Sequence, residues 1–332
     1  MRATLILDSS QISNLWGCQE RWNNRDLVLI NKLNPEDTHK PSDAISMGTL
    51  GHKLLEIYYT AICLDYEFED AIKLALAFDP DKADSSDLDQ NKYPLDPELR
   101  VAVKDRFLDY LTYVPPTSDL RPAYRKIHKV GIGKDGLLKD VWVKDPLIEK
   151  GFSYQLLNTP EYLFILEGRI DFIGHAKGGE LLWMDHKFQM TKHDLYPKAI
   201  QFRNYCLATN TNLALINYIR FHKKIDATTF VRKPISFSSL ELAHWKEELT
   251  EKYIEVVRNG DAAIARGDGV MPRNRAECPG SWGQHCRFIP LCDEPNAGIR
   301  NVIRNRDYTE AHKWTPWQSA SEVPQKQEEG LL

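Results

Sequence analysis

Apolar residues recur with two different spacings along the chain, and each spacing predicts one kind of element. A spacing of three to four residues, typical of amphipathic helices, covers residues 9–22, 47–63, 68–78, 97–113, 194–208 and 239–266. Short apolar runs, typical of strands, cover residues 138–143, 151–157, 162–173, 180–188, 213–221 and 230–237. Residues 79–97 are rich in Asp, Ser and Pro and lack a period, which predicts a loop. The chain is therefore predicted to be an α/β protein.

Three ionisable residues interrupt two of the predicted strands. The runs at 162–173 and 180–188 flank a Lys-Gly-Gly turn, which predicts a β-hairpin. Asp171 lies in the first strand. Asp185 and Lys187 lie two residues apart in the second, so both side chains point to one face. Burying such charges without compensation is costly, and a divalent metal ion with a phosphate would compensate them.

The residue types in this hairpin suit metal-dependent hydrolysis of a phosphodiester. Asp171 and Asp185 offer hard oxygen ligands for Mg²⁺ or Mn²⁺, with the carbonyl of His186 as a further ligand. A bound metal lowers the pKa of a water, and Lys187 would position that water or stabilise the charged phosphate. The alternative is a surface hairpin with an ordinary Asp–Lys ion pair, because such short sequences are common.

Polar residues outside the hairpin are further candidates. His52 and Glu56 share a face of one predicted helix, and Gln201 and Tyr205 share a face of another. Spacing alone favours a structural role for His52. For Gln201 and Tyr205, spacing alone favours neither a place in a functional site nor a place on the solvated face of the helix. Glu149 lies at a junction before a strand, where a solvated turn carboxylate is the preferred interpretation.

The composition bounds the class of protein. With 332 residues, of which 42% are hydrophobic and 27% charged, the chain can bury one large core or two modest ones. The formal net charge of −4 argues against a protein that coats nucleic acid, so binding would use local basic patches such as residues 121–134 and 220–233. No glycine-rich phosphate loop, serine nucleophile elbow or repeat occurs. No apolar run suits a membrane span or a signal peptide, so a cytoplasmic location without membrane contact is expected.

Three cysteines lie close together in the stretch CPGSWGQHCRFIPLC. Cys278, Cys286 and Cys292 favour zinc or an iron–sulfur cluster, because reducing cytosol disfavours disulfides. Three thiolates leave a tetrahedral site one ligand short. His285, beside Cys286, is a candidate substitute ligand.

These motifs together resemble the PD-(D/E)XK nuclease superfamily, in its RecB-like branch. The resemblance centres on GRIDF, a glycine turn and WMDHK, and extends to GTLGHKLLEIYY upstream and QFRNY downstream. It implies that His52 is a metal ligand and that Gln201 and Tyr205 contact DNA or the catalytic groups. Asp185 stands where many relatives have Glu, which RecB-type members tolerate. An acidic residue often precedes this strand in the branch, which would let Glu149 orient a ligand or a metal-bound water.

The resemblance also implies a fourth cysteine ligand. Some RecB-like members hold a 4Fe-4S cluster with one N-terminal and three C-terminal cysteines, and Cys18 takes the N-terminal position here. The spacing departs from the C-x-x-C of zinc ribbons and from relatives with two close cysteines before the last. The cluster type therefore stays open, with zinc the less favoured metal. Cys63 and Cys206 lie among apolar neighbours and are expected to fill the core.

The resemblance, which covers roughly residues 10–295, implies a restriction-endonuclease-like fold. A central mixed sheet flanked by helices would carry an inserted helical subdomain and a cysteine-ligated iron–sulfur module. The expected layout is an N-terminal segment supplying one cluster cysteine (1–46), a helical region with the motif histidine (47–137), a nuclease core (138–237), a C-terminal helix with the iron–sulfur module (238–300) and a flexible tail (301–332).

The expected function is that of a metal-dependent DNA exonuclease acting on single-stranded DNA or DNA ends, similar to iron–sulfur nucleases of phages and of CRISPR adaptation. Its partners would be DNA and proteins of replication, recombination or CRISPR adaptation. Two other classes stay open. One is a catalytically inactive nucleic-acid-binding relative, and the other is a zinc-stabilised structural adaptor. A cleavage assay with Mn²⁺ separates a nuclease from the first, and colour and metal content separate it from the second.

Overall fold

The structure is a computed structural model that describes residues 2–27, 30–32, 43–80, 96–114, 120–132, 138–190, 199–278 and 285–310. Its helices are α1 (Ser9–Gly17), α2 (Gln19–Trp22), α3 (Asp43–Cys63), α4 (Phe68–Leu76), α5 (Pro97–Tyr113), α6 (Ile200–Thr209), α7 (Ser239–Arg266), α8 (Ile289–Asp293) and α9 (Ala297–Asp307). Its strands are β1 (Ala3–Leu7), β2 (Ile30–Lys32), β3 (Arg121–Pro122), β4 (Tyr124–Ile132), β5 (Leu138–Pro146), β6 (Ile148–Asn158), β7 (Tyr162–His175), β8 (Leu181–Gln189), β9 (Leu213–Arg220), β10 (Phe230–Ser236) and β11 (Tyr308–Glu310).

A mixed sheet forms the centre of the described part of the chain. Its strand order is β1-β7-β8-β9-β10, and β3 and β6 also pair with β7. The pairs β1–β7 and β8–β9 are parallel, whereas the other pairs are antiparallel. This arrangement agrees with the predicted α/β fold of restriction-endonuclease type, in which a mixed sheet is flanked by helices.

Helices cover both faces of the sheet, and the central strands β7 and β8 bury apolar residues on both sides. On one face, α3, α4 and α5 pack on Phe172, Leu182 and Met184 in one continuous core. On the other face, α1, α6 and α7 pack in two further clusters that include Trp183 and Phe164. The predicted helical insertion is thus continuous with the core of the sheet.

Local sequence explains where the longest helix begins and ends. Ser238 and Glu241 form a reciprocal capping box at the start of α7. Gly267 follows the last turn with φ 74°, a left-handed conformation that glycine adopts without strain. The predicted range of residues 239–266 agrees with the observed helix.

The hairpin of β7 and β8 is paired over only part of its length. Phe172–His175 face Leu181–Met184 across a tight turn in which Gly179 has φ 91°. Beyond Met184, β8 runs parallel to β9 as far as Gln189. The two hairpin strands therefore separate at Asp171 and Asp185, and this separation creates the seam in which the candidate site lies.

Strands β4 and β5 form a separate two-stranded ribbon. Backbone hydrogen bonds fix its base to β7: Ala123 N donates to Ile173 O, Leu147 N to Ala123 O and Ile173 N to Leu147 O, each at 2.9 Å. The ribbon is thereby held beside the end of β7 that carries Asp171.

Several predicted boundaries differ from the structure. The helix predicted at 9–22 breaks at Cys18, whose backbone is extended (φ −158°, ψ 114°). Strands β1 and β4 were not predicted from the sequence. Residues 3–7 form β1, and residues 124–132 form β4, the first strand of the ribbon. Residues 301–310, predicted as part of a flexible tail, continue α9 and form β11, which pairs with β2.

Some predictions fall on residues that the structure leaves undescribed. They include most of the loop at 79–97, the start of the helix at 194–208, the cysteine-loop residues 279–284 and the tail from 311 onward. Among the described helices, none is both long and apolar enough to cross a membrane.

Candidate active site

Four of the residues singled out in the sequence meet on one face of the sheet. Lys187 Nζ lies 2.7 Å from Asp185 Oδ2, as the two-residue strand period predicts. From α6, Gln201 Nε2 donates to Asp185 Oδ1 at 2.9 Å and to the Tyr205 hydroxyl at 2.8 Å. Asp185 is fully buried. Its carboxylate is therefore held on one oxygen by an amide and on the other by an ammonium group.

Asp171 occupies the other side of the seam. Its Oδ2 accepts the backbone N–H of His186 at 2.7 Å, a donor that becomes available where the two strands separate. The same oxygen lies 3.4 Å from His52 Nδ1, which is also 3.3 Å from Glu149 Oε1. In the described part of the chain, His52, Glu149 and Asp171 form a group whose metal-binding atoms all lie within 4.8 Å of one another.

A glycine lets α3 bring His52 to this group. A Cβ on Gly51 would lie 2.3 Å from the ring of Phe188 on β8, so any larger side chain would push the helix away from the sheet. The His52 ring packs 5.4 Å from the same phenylalanine ring. The close approach of α3 thus determines how near His52 comes to Asp171.

Glu149 is the residue whose placement differs from the preferred interpretation of the sequence. Instead of a solvated turn carboxylate, it is a partly buried member of the group. It lies between Ile148, paired with Phe172, and Lys150, paired with Ile170, and is therefore opposite Asp171. Its φ of 45° is a left-handed conformation that costs free energy in a residue with a side chain. No local sequence signal would have identified that conformation.

Burial and charge shift the pKa values of the ionisable groups in the site. Burial raises the pKa of Asp185 to about 6, and the negative charge of Asp171 adds to that rise. Burial also raises the pKa of Asp171. Burial opposes protonation of His52, yet the carboxylates of Asp171 and Glu149 outweigh it and raise its pKa to about 9. The pKa of Lys187 rises because Asp185 and Asp171 outweigh its burial.

The donor set fits a small divalent cation. Three carboxylates and one imidazole approach the seam, and carboxylate oxygens are the donors that Mg²⁺ and Mn²⁺ prefer. Burial raises the pKa of both Asp171 and Asp185, and a bound cation would favour their charged forms. Glu149, Asp171 and His52 would hold such an ion, with Asp185 beside them.

His186 contributes its backbone and not its side chain. Its imidazole lies on the opposite face, stacked on Tyr59 at 5.8 Å, and its Nδ1 lies 2.8 Å from Asn217 Nδ2. Burial holds its pKa well below the usual range, so the ring is neutral. In a strand the N–H and C=O of one residue point to the same side, so the His186 carbonyl also lies on the side of Asp171.

Glu56 lies one turn beyond His52 but forms a different contact. Its carboxylate is 3.3 Å from Lys53 Nζ in a buried pair. Burial raises the pKa of Glu56 to about 7, despite the opposing charge of Lys53. Glu56 and His52 share a helix face, as predicted. Among the described residues, however, Glu56 is not part of the group formed by His52, Glu149 and Asp171.

The four cysteines of the predicted cluster line a second pocket. Cys18, Cys278, Cys286 and Cys292 line it together with Arg21, Arg273, Asn274, Arg275 and Glu277, around a cavity of about 10 Å³. No three of these described cysteines have Sγ atoms within 4.8 Å of one another. Burial raises the pKa of Cys286, and it raises that of Cys292 to about 12, so these thiols favour the protonated form without a metal. His285 is exposed.

The remaining cysteines lie elsewhere. Cys63 and Cys206 are buried in α3 and α6, and all six cysteines are free thiols. Burial raises the pKa of each of these two thiols to about 11. This placement agrees with a role in packing.

Comparisons with known proteins give the following findings. No curated protein matches the chain. The crystal structure of SSO0001 resembles it at 14% sequence identity and a TM-score of 0.26, over 44% of this chain. The match spans 58% of that second chain. The sequence model of the PD-(D/E)XK nuclease superfamily matches residues 9–293, which include both carboxylate strands, α3, α6 and all four pocket cysteines. The chain therefore belongs to the PD-(D/E)XK nuclease superfamily.

Proposed function

We propose that this chain is a metal-dependent DNA exonuclease of the RecB-like branch, acting on single-stranded DNA or DNA ends. Membership of the superfamily supports the coarser assignment, a metal-dependent nuclease. One observation carries the proposal: His52, Glu149 and Asp171 meet in the seam where Asp185 and Lys187 form a 2.7 Å ion pair. The relation to phage and CRISPR-adaptation nucleases, and partners among replication or recombination proteins, rest on the sequence resemblance.

Each residue of the site has a role that its contacts support. A bound Mg²⁺ or Mn²⁺ supplies an activated water and stabilises charge on the phosphodiester. Asp171, Glu149 and His52 would hold that ion, and Asp185 would add negative charge beside it. Lys187 holds its ammonium group at Asp185, from where it can donate to a phosphate oxygen or orient the attacking water.

Gln201 and Tyr205 act as positioning residues. The Gln201 amide donates to both Asp185 Oδ1 and the Tyr205 hydroxyl, so the phenol fixes which way the amide points. Burial keeps the pKa of Tyr205 well above its usual range, and this group therefore stays a neutral phenol. Asp185 is thereby held in one orientation before substrate binds.

The exonuclease assignment is tested by the topology of the substrate. Helices α3 to α5 cover one face, while α1 and α2 meet the C-terminal segment on the other side, as the bond from Met271 N to Glu20 Oε2 at 2.7 Å indicates. A site covered from these two sides would admit DNA by its end. The experiment compares end-labelled linear DNA with covalently closed circular single-stranded DNA of the same sequence, in Mg²⁺ and in Mn²⁺. Cleavage of the linear form alone is expected.

Each other outcome of that assay has a distinct meaning. Equal rates on linear and circular DNA would reject the exonuclease assignment and retain the hydrolytic site. DNA binding without cleavage in either metal would favour the inactive binding relative. Duplex DNA with blunt ends, tested in parallel, separates a preference for single strands from a preference for ends.

We also propose that Cys18, Cys278, Cys286 and Cys292 hold a 4Fe-4S cluster. A single zinc ion with Zn–S bonds of about 2.3 Å draws its thiolates close together. Four cysteines that line one pocket match the Cys₄ ligand set of a 4Fe-4S cluster, and the sequence resemblance favours that cluster over one zinc ion. Arg21 and Arg273 line the same pocket and would balance the negative charge of the thiolates.

A further inference from the structure

The β4–β5 ribbon has two faces of different chemistry. In its register, Lys126 is opposite Lys144, and Tyr124 is opposite Pro146. Because side chains alternate along a strand, Tyr124, Lys126, Trp142 and Lys144 share one face. We call these four residues the ribbon face.

The opposite face of the ribbon carries internally paired charges. Arg125 lies 2.7 Å from Asp145, and Lys150 of the adjoining strand lies 2.7 Å from the same carboxylate. Both contacts use the Asp145 carboxylate and tie that face to β6. On the ribbon face, Lys144 forms an ion pair with Asp65, whereas Lys126, directly opposite Lys144, is exposed.

Aromatic exposure on the ribbon face is high. Trp142 is 67% exposed and Tyr124 is 42% exposed, and the Lys144 ammonium lies 5.0 Å from the centre of the Tyr124 ring. A large aromatic ring left in water beside lysines is typical of surfaces that bind single-stranded nucleic acid. There, bases stack on the rings while basic groups contact the phosphates.

We propose that the ribbon face binds single-stranded DNA and leads it to the active site. This inference rests on the proposed nuclease function and deepens it. Single-stranded DNA is the occupant that fits, because its bases are free to stack on Trp142, whereas the bases of a duplex are already stacked on one another. The positive charge of the exposed Lys126 complements its phosphates.

The base of the ribbon places this surface close to the seam. Leu147, which follows the last residue of the ribbon, is two residues before Glu149, and its carbonyl accepts from Ile173 N, two residues after Asp171. At the rise of an extended strand, Trp142 and Asp171 are separated along these strands by roughly 20 Å. A strand of several nucleotides could span that distance, whereas a trinucleotide bound at the seam could not contact Trp142.

The first test measures binding of a labelled 20-nucleotide single strand to the full chain by fluorescence anisotropy, without added divalent ion. Trp142→Ala is expected to raise Kd about tenfold, equivalent to about 1.4 kcal/mol. Trp142→Phe keeps a stacking ring and is expected to lose less. Lys126→Ala is expected to lower the slope of log Kd against log salt by about 0.7, the value for one phosphate contact on a single strand.

Matched controls lie on other exposed surfaces. Leu240→Ala removes an apolar side chain that is 65% exposed, and Lys73→Ala removes an exposed lysine on α4. Neither is expected to change Kd. Trp142 is exposed, so melting of Trp142→Ala should match that of the unchanged protein.

The second test separates this inference from the nuclease assignment. With Mn²⁺, Trp142→Ala should slow hydrolysis of the 20-nucleotide strand at low concentration and leave hydrolysis of a trinucleotide unchanged. Loss on both substrates would assign Trp142 to the site itself and overturn the inference. Unchanged Kd, an equal loss on duplex DNA, or dissociation of a dimer by Trp142→Ala would also overturn it. A chain that binds through the ribbon but cleaves nothing would retain the inference while rejecting the nuclease function.

Discussion

The carboxylate seam and the cysteine pocket are held together in different ways. In the seam, hydrogen bonds and strand pairing hold the residues in place: Gln201 and Lys187 contact Asp185, and the His186 N–H contacts Asp171. The cysteine pocket lies where irregular segments meet, and Cys18 itself lies in extended backbone between two helices. The fold thus orders the seam, whereas under the cluster proposal the pocket would depend more on what its thiolates bind.

A few polar contacts join the two ends of the chain at the pocket. Glu20 is 4% exposed, and its Oε2 accepts from Met271 N at 2.7 Å. The Asn274 side chain donates to Gly17 O at 2.9 Å, and Asn274 N lies 3.4 Å from Cys18 Sγ. Burial raises the pKa of Glu20, so this contact is itself costly when the carboxylate is charged. A cluster at this point would add a further link between the two ends of the chain.

Replacing a pocket cysteine should give the largest effect. Cys18→Ser removes the proposed ligand that would close a loop of about 260 residues, and the chain-entropy estimate for a loop of this length is on the order of 5 kcal/mol. We expect insoluble or strongly destabilised protein that lacks iron. Iron content and visible absorption after anaerobic purification measure this, with about four irons per chain in the unchanged protein.

Cys206→Ser is the matched control for that variant. It places the same substitution on a buried cysteine outside the pocket, and iron content should stay unchanged. A colourless protein that contains one zinc per chain would contradict the iron–sulfur proposal. In that case the contrast between the two regions would persist with a different metal.

Replacing Asp185 should abolish cleavage and leave the cysteine pocket intact. Asp185→Asn keeps the shape of the side chain but removes the negative charge beside the metal. We expect a rate loss of about a thousandfold, or about 4 kcal/mol of barrier. Single-turnover cleavage measures it, while iron content and metal-free melting should stay near those of the unchanged protein. Glu180→Gln, an exposed carboxylate in the same hairpin, is the control. Near-normal cleavage by Asp185→Asn would reject the site.

The sequence alone predicted those parts of the site that depend on the periodicity of a single strand or helix. The two-residue period of β8 predicted the shared face of Asp185 and Lys187, and the helical period predicted that of Gln201 and Tyr205. Glu149 was beyond such reasoning, because its position depends on a left-handed φ and on pairing with a strand 20 residues later. Likewise β1 is a five-residue run whose partner, β7, lies about 160 residues away.

Lys187→Ala should separate catalysis from metal binding. The ammonium group is lost while the carboxylates and His52 remain, so we expect cleavage to fall about a hundredfold, or about 2.7 kcal/mol of barrier. Stabilisation by Mn²⁺, followed as the shift in melting temperature, should persist. The control, Lys177→Ala, removes an exposed lysine from the turn of the same hairpin. Loss of Mn²⁺ stabilisation in Lys187→Ala would mean that this residue acts through the metal site.

The smallest predicted effect is a pH dependence that belongs to the seam alone. In the metal-free protein Asp171 and Glu149 outweigh burial and raise the pKa of His52 to about 9, above its ordinary 6.5. Protonated His52 therefore stabilises the fold fully below pH 6.5, and that contribution is lost as the pH rises through 9.

Metal binding should show the opposite trend, because only neutral imidazole is a ligand. Between pH 7 and 9, Mn²⁺ affinity should rise by up to about tenfold per pH unit as one proton is released. Calorimetry in two buffers of different ionisation enthalpy measures both the affinity and the proton. His52→Gln should remove this slope, and Cys206→Ser should leave it unchanged. An affinity that is independent of pH over this range would show that His52 is not a ligand. The metal would then be held by Asp171 and Glu149, with the imidazole only a neighbouring donor.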